Sequence, residues 1–405
     1  MEVAAGLIVA EQVVSTTIEG GVVAGVALAQ PTNGLKATLD RIASIPDTSS
    51  PDSLRRHHHT LTVVGGRAYI FGGKVANGGL AGNEMHIIRL PGSAQSEGPE
   101  YKCVPAIPSS EDGNVPQSRF RHAAGAMADG NVVVYGGAQG EGIPFEEHAA
   151  IWTFDTKTLQ WTEHRPEDNP RPPSHDHRAV VHGTNLIVYG VPPDRDEAEA
   201  WVFNVPTRIW SQLPSPKTAI TIMPPDFTLS RDKLYLLTGM SNEASELHTL
   251  DLAATEPAWH SMVFPMNPLV PGPGPRHGAG LLPISTGYGR EFLLYFFGSK
   301  QTGDSEDANQ CWDDLWTFQL PSAGGSLAKL KDLARQTLGT DTGAASWAEV
   351  EVKPHDVERT MDGKSHPGPL ASFAYSDVNS KSVIFWGGIN AKGETVGEGW
   401  IIQFG

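Results

Sequence analysis

A short apolar run ending in Gly-Gly, or in one glycine of such a pair, occurs six times in this chain. The copies are Tyr69–Gly73, Val133–Gly137, Ile187–Gly190, Tyr235–Gly239, Leu294–Gly298 and Ile384–Gly388. A fixed unit of this length recurring along a chain predicts a solenoid, a propeller or an array. It also means that a residue type found in every unit serves the architecture before it serves any chemistry. The glycine pair suits a tight bend, because such a bend needs a positive φ that glycine adopts freely.

Each glycine turn lies between strand-like segments. A small or apolar run precedes it, such as Thr60–Val64. A variable loop follows, and then an aromatic or apolar run such as Ile151–Asp155, Trp201–Asn204 or Leu315–Leu320. A fourth segment carries Trp161, Trp210, Trp259 or Trp347, with Tyr101 in that place in the first unit. The β-branched and aromatic content between frequent turns predicts four-stranded antiparallel sheets. The large fourth-strand ring would fill the space where wedge-shaped sheets diverge.

These residues resemble the Kelch repeat, with Gly-Gly after the second strand, an aromatic third strand and Trp on the fourth. The resemblance covers residues ~36–405 and implies an all-β fold, a six-bladed Kelch-type β-propeller. Gly190, Gly239 and Gly298 lack the preceding glycine, and the fifth unit is the longest. The last unit stops after its third strand, so the missing strand is expected from Lys36–Ser44. The ring would then be closed by an N-terminal strand completing the last blade, which removes open sheet edges. The expected domains are a 1–35 N-terminal arm and a 36–405 propeller. Val26–Ala29 has the look of a cleavage site, but Glu2, Glu11 and Glu19 argue against a secretory leader and favour an arm packed on the body.

One insertion departs from the repeat. Ser326–Leu338 has leucines at 327, 330, 333 and 338 with charges between them, which predicts a helix capped by Ser326 and stopped by Gly339. It reads as a surface helix packed on blade five, with a lid or partner-docking role as the sharper reading.

The chain has 405 residues and a formal net charge of −16, with no offsetting Lys/Arg run. That balance argues against nucleic acid and anionic membranes as partners. Two cysteines far apart, Cys103 and Cys311, fit a reducing, cytoplasmic setting. The chain is expected to be a monomer.

Aligning the starts of the six first strands brings together His59, His122, His177, Asp226, His277 and Ser372. First strands line the channel of a propeller, so these residues, with Arg56, Arg121, Arg276, Phe120 and Trp312, are the candidate ligand-binding set. Arg offers forked donors, and His switches between donor and acceptor near neutral pH. The competing reading is that Arg-x-x-His, at 56–59 and 119–122, is a Kelch habit tying loops to neighbouring blades. Acidic residues before the third strands, among them Glu84, Glu199, Asp314 and Glu398, share one repeat position and are expected to serve turns. The acidic loop 301–312 could rim a pocket.

No Gly-x-Ser-x-Gly, His-Glu-x-x-His, phosphate-loop or paired Cys-x-x-Cys pattern occurs. The Tyr–Cys pairing of galactose oxidase and the Glu-x-x-x-Asp-x-x-x-His iron loop of nitrile-specifier proteins do not map onto this chain. No metal and no cofactor is therefore expected. The whole resembles stand-alone fungal Kelch proteins. Two functions follow: a binding module for a protein or small molecule at the channel mouth, or a cofactor-independent cyclase or isomerase acting on a small metabolite through His and Arg.

Overall fold

The computed structural model describes residues 34–405 except 46–52, 93–99, 140–144, 146–149, 168–169, 193, 217–225, 239–243, 266–271, 287–288, 301–310, 323–325, 338, 340–341 and 354–363. The expected arm, up to residue 33, and most of the acidic loop lie outside the described residues.

Six sheets form the ring, five of them antiparallel and four-stranded and the sixth carrying a fifth, parallel strand at its outer edge. Blade 1 is Thr60–Val64, Arg67–Phe71, Met85–Arg89 and Tyr101–Val104. Blades 2 to 5 begin at Ala123, Arg178, Asp226 and Gly280. Blade 6 is Ala374–Asn379, Ser382–Trp386 and Glu398–Phe404, and Lys36–Ser44 supplies its fourth strand. The register is antiparallel, with Ala37 opposite Phe404 and Leu39 opposite Ile402. A bulge falls between Arg41 and Ala43. The closing strand is held on its other side too: Lys36 and Ala37 pair in parallel with Glu351 and Val352, at the exit of blade 5.

Second strands read as unbroken apolar runs because other blades cover both of their faces. Val132, Val133, Val134 and Tyr135 are all buried. The core is accordingly divided among the seams. One cluster joins Tyr69 and Phe71 of blade 1 to Val132 and Trp161 of blade 2. Another joins Phe292 and Phe296 of blade 5 to Phe373, Phe385 and the closing-strand residue Leu39.

The fourth-strand Trp works as expected in blades 2 and 3. Trp161 packs on Phe71 across the seam with ring centres 5.1 Å apart, and Trp210 packs on Tyr135 at 5.4 Å. Tyr101 does not do the same job. It is exposed, and its hydroxyl lies 2.9 Å from His86 Nδ1, while Trp386 of blade 6 is buried in the seam with blade 1.

The expected helix is present at Leu327–Thr337. Its docking face differs from the leucine stripe read in the sequence. Leu330 and Leu333 are 54% and 47% exposed, whereas Asp332 and Arg335 are 4% and 8% exposed. The Asp332 carboxylate accepts from Arg290 at 2.6 Å and from the Ser322 hydroxyl at 2.6 Å. A buried ion pair with satisfied oxygens fixes the helix, so its polar side points to the blade.

Candidate functional site at the channel mouth

The six inner strands enclose a central cavity of about 430 Å3. Its wall runs from His59, His122 and His177 down through Thr60, Thr62, Gly125, Val181, Thr228, Leu282 and Ser376.

The three imidazoles lie on the cavity wall without converging on one point. Each ring is turned onto a glycine of the preceding blade. A Cβ on Gly387 would lie 2.9 Å from His59 Cε1; on Gly72, 2.7 Å from His122 Cε1; on Gly136, 2.6 Å from His177 Cε1. The first glycine of each intact pair therefore makes room for the histidine of the next blade. His122 Nε2 also lies 2.9 Å from the Thr60 hydroxyl, and its ring meets Phe71 edge-on at 5.3 Å. Burial drives all three basicities down, His177 to about 3. They are neutral seam struts at physiological pH.

The seams lacking the first glycine are built differently. At the join of blades 5 and 6, Phe297 stands in its place at φ 56°, and Phe373 occupies the histidine position, the rings 5.6 Å apart. At the join of blades 4 and 5 the histidine position is Ala279, whose Cβ faces Gly298. This corrects the alignment of His277 and Ser372. Arg276–His277 forms a two-residue ribbon with Ser299–Lys300, as Arg56–His57 does with Lys74–Val75. His277 thus matches His57 and lies outside the wall of the cavity. Ser372 matches His58 in the left-handed position just before the strand position.

Arg56 and Arg276 are fully buried away from the cavity wall. Arg56 Nη1 donates to the Gly72 carbonyl at 3.1 Å, and Arg119 Nη1 donates to that of Gly136 at 2.9 Å. Arg276 Nη1 donates to the Phe297 carbonyl at 3.0 Å and to Asp314 at 2.6 Å. The adjoining N–H groups carry the link onward: Gly73 donates to the Arg119 carbonyl at 2.8 Å and Gly388 to that of Arg56 at 3.0 Å. Trp312 sits outside with them, its ring between Arg276 at 5.0 Å and Lys300 at 4.5 Å. The acids before the third strands accept ring N–H groups two residues on, as Glu199 does from Trp201 and Asp314 from Trp316.

If His122 is a strut, His122→Ala is expected to cost about 1–3 kcal/mol through the lost hydrogen bond and the void left over Gly72. Chemical denaturation of the two proteins measures this directly. An unchanged midpoint would contradict the strut assignment.

Asp226 occupies the buried blade-4 position and accepts from the Tyr295 hydroxyl of blade 5 at 2.6 Å. Burial raises its carboxyl to about 6, against the hydrogen bond from Tyr295 and the charges of Arg178 and Arg276. Arg178 is the one Lys or Arg among the described residues of the cavity wall. It is half-buried, and among the described residues its guanidinium makes no hydrogen bond or ion pair. Its field also reaches Tyr375, a half-buried wall residue whose hydroxyl burial has pushed upward.

Above the wall lies a cationic rim. His57 Nδ1 and His58 Nδ1 are 2.6 Å apart, one imidazole donating to the other. Burial and the charges of Lys74 and Arg121 lower them to about 4 and about 3. Lys74 Nζ stands 4.1 Å above the buried Phe120 ring, and Arg121 donates to Asp176 at 3.2 Å. Three backbone bonds run between blades here: His58 N–H to Ser372, Arg121 N–H to His58 and Ser372 N–H to Gly278. The structure thus brings His59, His122 and His177 to the cavity wall, buries Asp226 next to the wall residue Phe227, and places Phe120 and Arg121 at the rim. Lys74 and Tyr375 were missed in the sequence, the first because it follows the glycine pair, the second because it sits inside a strand.

Residues 37–226 match the Kelch-repeats domain described as KLHDC2/KLHL20/DRC7. With six blades in the ring, this settles the family. The chain is a Kelch-repeat β-propeller. It is 27% identical over 173 residues to acyl-CoA-binding domain-containing protein 5 of Arabidopsis thaliana, covering 42% of this chain and 24% of that protein. It is 31% identical over 78 residues to the mouse Rab9 effector protein with kelch motifs, covering 19% of this chain and 20% of the other. Human host cell factor 2 matches at 29% over 302 residues, 71% of this chain and 32% of that protein. The Kelch chain therefore matches only about a fifth to a third of the length of these relatives. Among the described residues no helix is long and apolar enough to cross a membrane.

Proposed function

We propose that this Kelch propeller is a protein-binding module whose channel mouth receives an acidic segment of a partner. Arg178 carries the reading. It is a half-buried guanidinium on a cavity wall, with its donors unused among the described residues. Such a group binds a carboxylate through paired N–H donors. Lys74 and Arg121 give the rim the same sign in a chain of net charge −16, and the neutral His57–His58 pair adds imidazole hydrogen-bonding groups beside them. A relative named as a Rab9 effector supports a role in docking rather than chemistry.

The small-molecule reading has one observation in its favour. Asp226 titrates near neutrality beside the cavity, with Arg178 and Tyr375 close enough to act on a bound carbonyl. The buried imidazoles do not add to it, because their rings face the neighbouring blades.

A peptide-display library selected on the immobilised protein tests the docking reading. Acid-rich sequences are expected to be enriched. Arg178→Ala should weaken them roughly 10–150-fold, the worth of a charge-assisted hydrogen bond, at unchanged melting temperature. Enrichment of neutral sequences indifferent to Arg178 would refute it.

A further inference from the structure

Leu330 and Leu333 of the helix Leu327–Thr337 face the outside. A helix lying on a sheet normally buries its apolar stripe. Here Asp332 and Arg335 take the buried face, and Leu330 and Leu333 are about half exposed. Eleven residues form a weak helix by themselves, so its stability comes from what packs on it. The Arg290–Asp332 contact supplies one side only.

The described chain begins beside this blade. Glu351 N–H donates to the Leu35 carbonyl at 3.0 Å, and a Cβ on Gly34 would lie 2.8 Å from the Glu349 carbonyl oxygen. Residues 36–37 run parallel to 351–352. Continued backward, that direction leads along Glu349 toward Trp347. At that end the helix-bearing insertion joins the sheet, through Ala345 N–H to Gln319 and Gln319 N–H to Ser346. Residues 1–33 are rich in Val, Ala, Leu and Ile, and their only charges are Glu2, Glu11 and Glu19. The helix carries Lys329 and Lys331 beside its leucines. Thirty-three residues can reach on the order of 100 Å, far more than the helix's length of about 16 Å.

We propose that an apolar stretch of residues 1–33 packs over Leu330 and Leu333, so that the beginning of the chain clasps the blade-5 helix beyond the closing strand. The proposal does not depend on the channel reading.

Hydrogen–deuterium exchange on the full chain tests it. In the native chain, amides of 327–337 and of one stretch within 1–33 should exchange at least 10-fold more slowly than unstructured peptide. Leu330→Asp with Leu333→Asp should raise exchange in that N-terminal stretch to the unstructured rate, while the strands of blades 1–4 keep their protection. Leu330→Met with Leu333→Met, which keeps the apolar face, should leave both protected. Unprotected 1–33 in the native chain overturns the proposal. So does protection that survives the aspartate pair with the blades intact. A native dimer by light scattering that the aspartate pair converts to monomer assigns the face to a second copy and overturns it equally.

Discussion

Gly72→Val is expected to unfold the propeller or lower its stability by more than about 4 kcal/mol. Three costs add at one position. The backbone is left-handed at φ +61°, where a β-branched residue is strained by roughly 1–2 kcal/mol. A Cβ there meets the Arg119 carbonyl oxygen of the next blade and lies 2.7 Å from His122 Cε1. The Gly72 carbonyl also anchors the buried Arg56 guanidinium at 3.1 Å, so a shifted backbone leaves a buried charge with a lost partner. Gly65→Val is the control. That glycine shares the positive φ, at +55°, but its Cβ would meet nothing within 4 Å. Urea denaturation of both variants separates strain from collision. Equal losses at the two sites would show that the seam contact contributes nothing.

Acid should loosen the ring well before it loosens an ordinary β-protein. His59, His122 and His177 are buried and neutral, with proton affinities far below the usual value of 6.5. The unfolded chain takes up those protons near pH 6.5, while the folded chain refuses them down to about 3 at His177. The unfolded state thus holds more protons across that window, and stability falls as pH falls, by about 1.4 kcal/mol per pH unit for each fully buried imidazole. Asp226 acts in the opposite sense. Its raised carboxyl, about 6 against 3.8, adds stability at low pH that is lost as pH rises through 6. It offsets one imidazole of the three between pH 6 and 4. The net expectation is a melting temperature that drops steeply from pH 6.5 to 5. His177→Asn should flatten the slope, and a profile flat over that range in the native protein would contradict the seam assignment.

The blades were legible because glycine pairs and tryptophans recur with the repeat. The closing strand was legible because a unit lacking one strand must borrow it. The roles of the histidines were harder to read. They are set by a contact between one repeat and the next, and aligning first strands compares equivalent positions instead. The needed signal was present in the sequence. Gly72, Gly136 and Gly387 each precede a blade carrying His at the seam, whereas Tyr189, Thr238 and Phe297, in the first-glycine place, precede Asp226, Ala279 and Phe373. His277 misled because Arg276–His277 copies the residue types of Arg-x-x-His with the spacing of a ribbon. The helix face escaped because periodicity shows that a stripe exists and not which side meets the sheet. Asp332 decided that through Arg290, 42 positions earlier.

The pairing of Ala37 with Phe404 also carries a timing cost. A ribosome releases the first of these residues long before the second, so the early strand must wait for almost the whole ring to be made. Joining such distant partners is slow, because the intervening chain must be gathered first. The wheel is therefore fastened last during biogenesis. A nascent chain stalled before its last blade is complete would expose two unsatisfied sheet borders, making translation pausing in that blade a hazard for this protein.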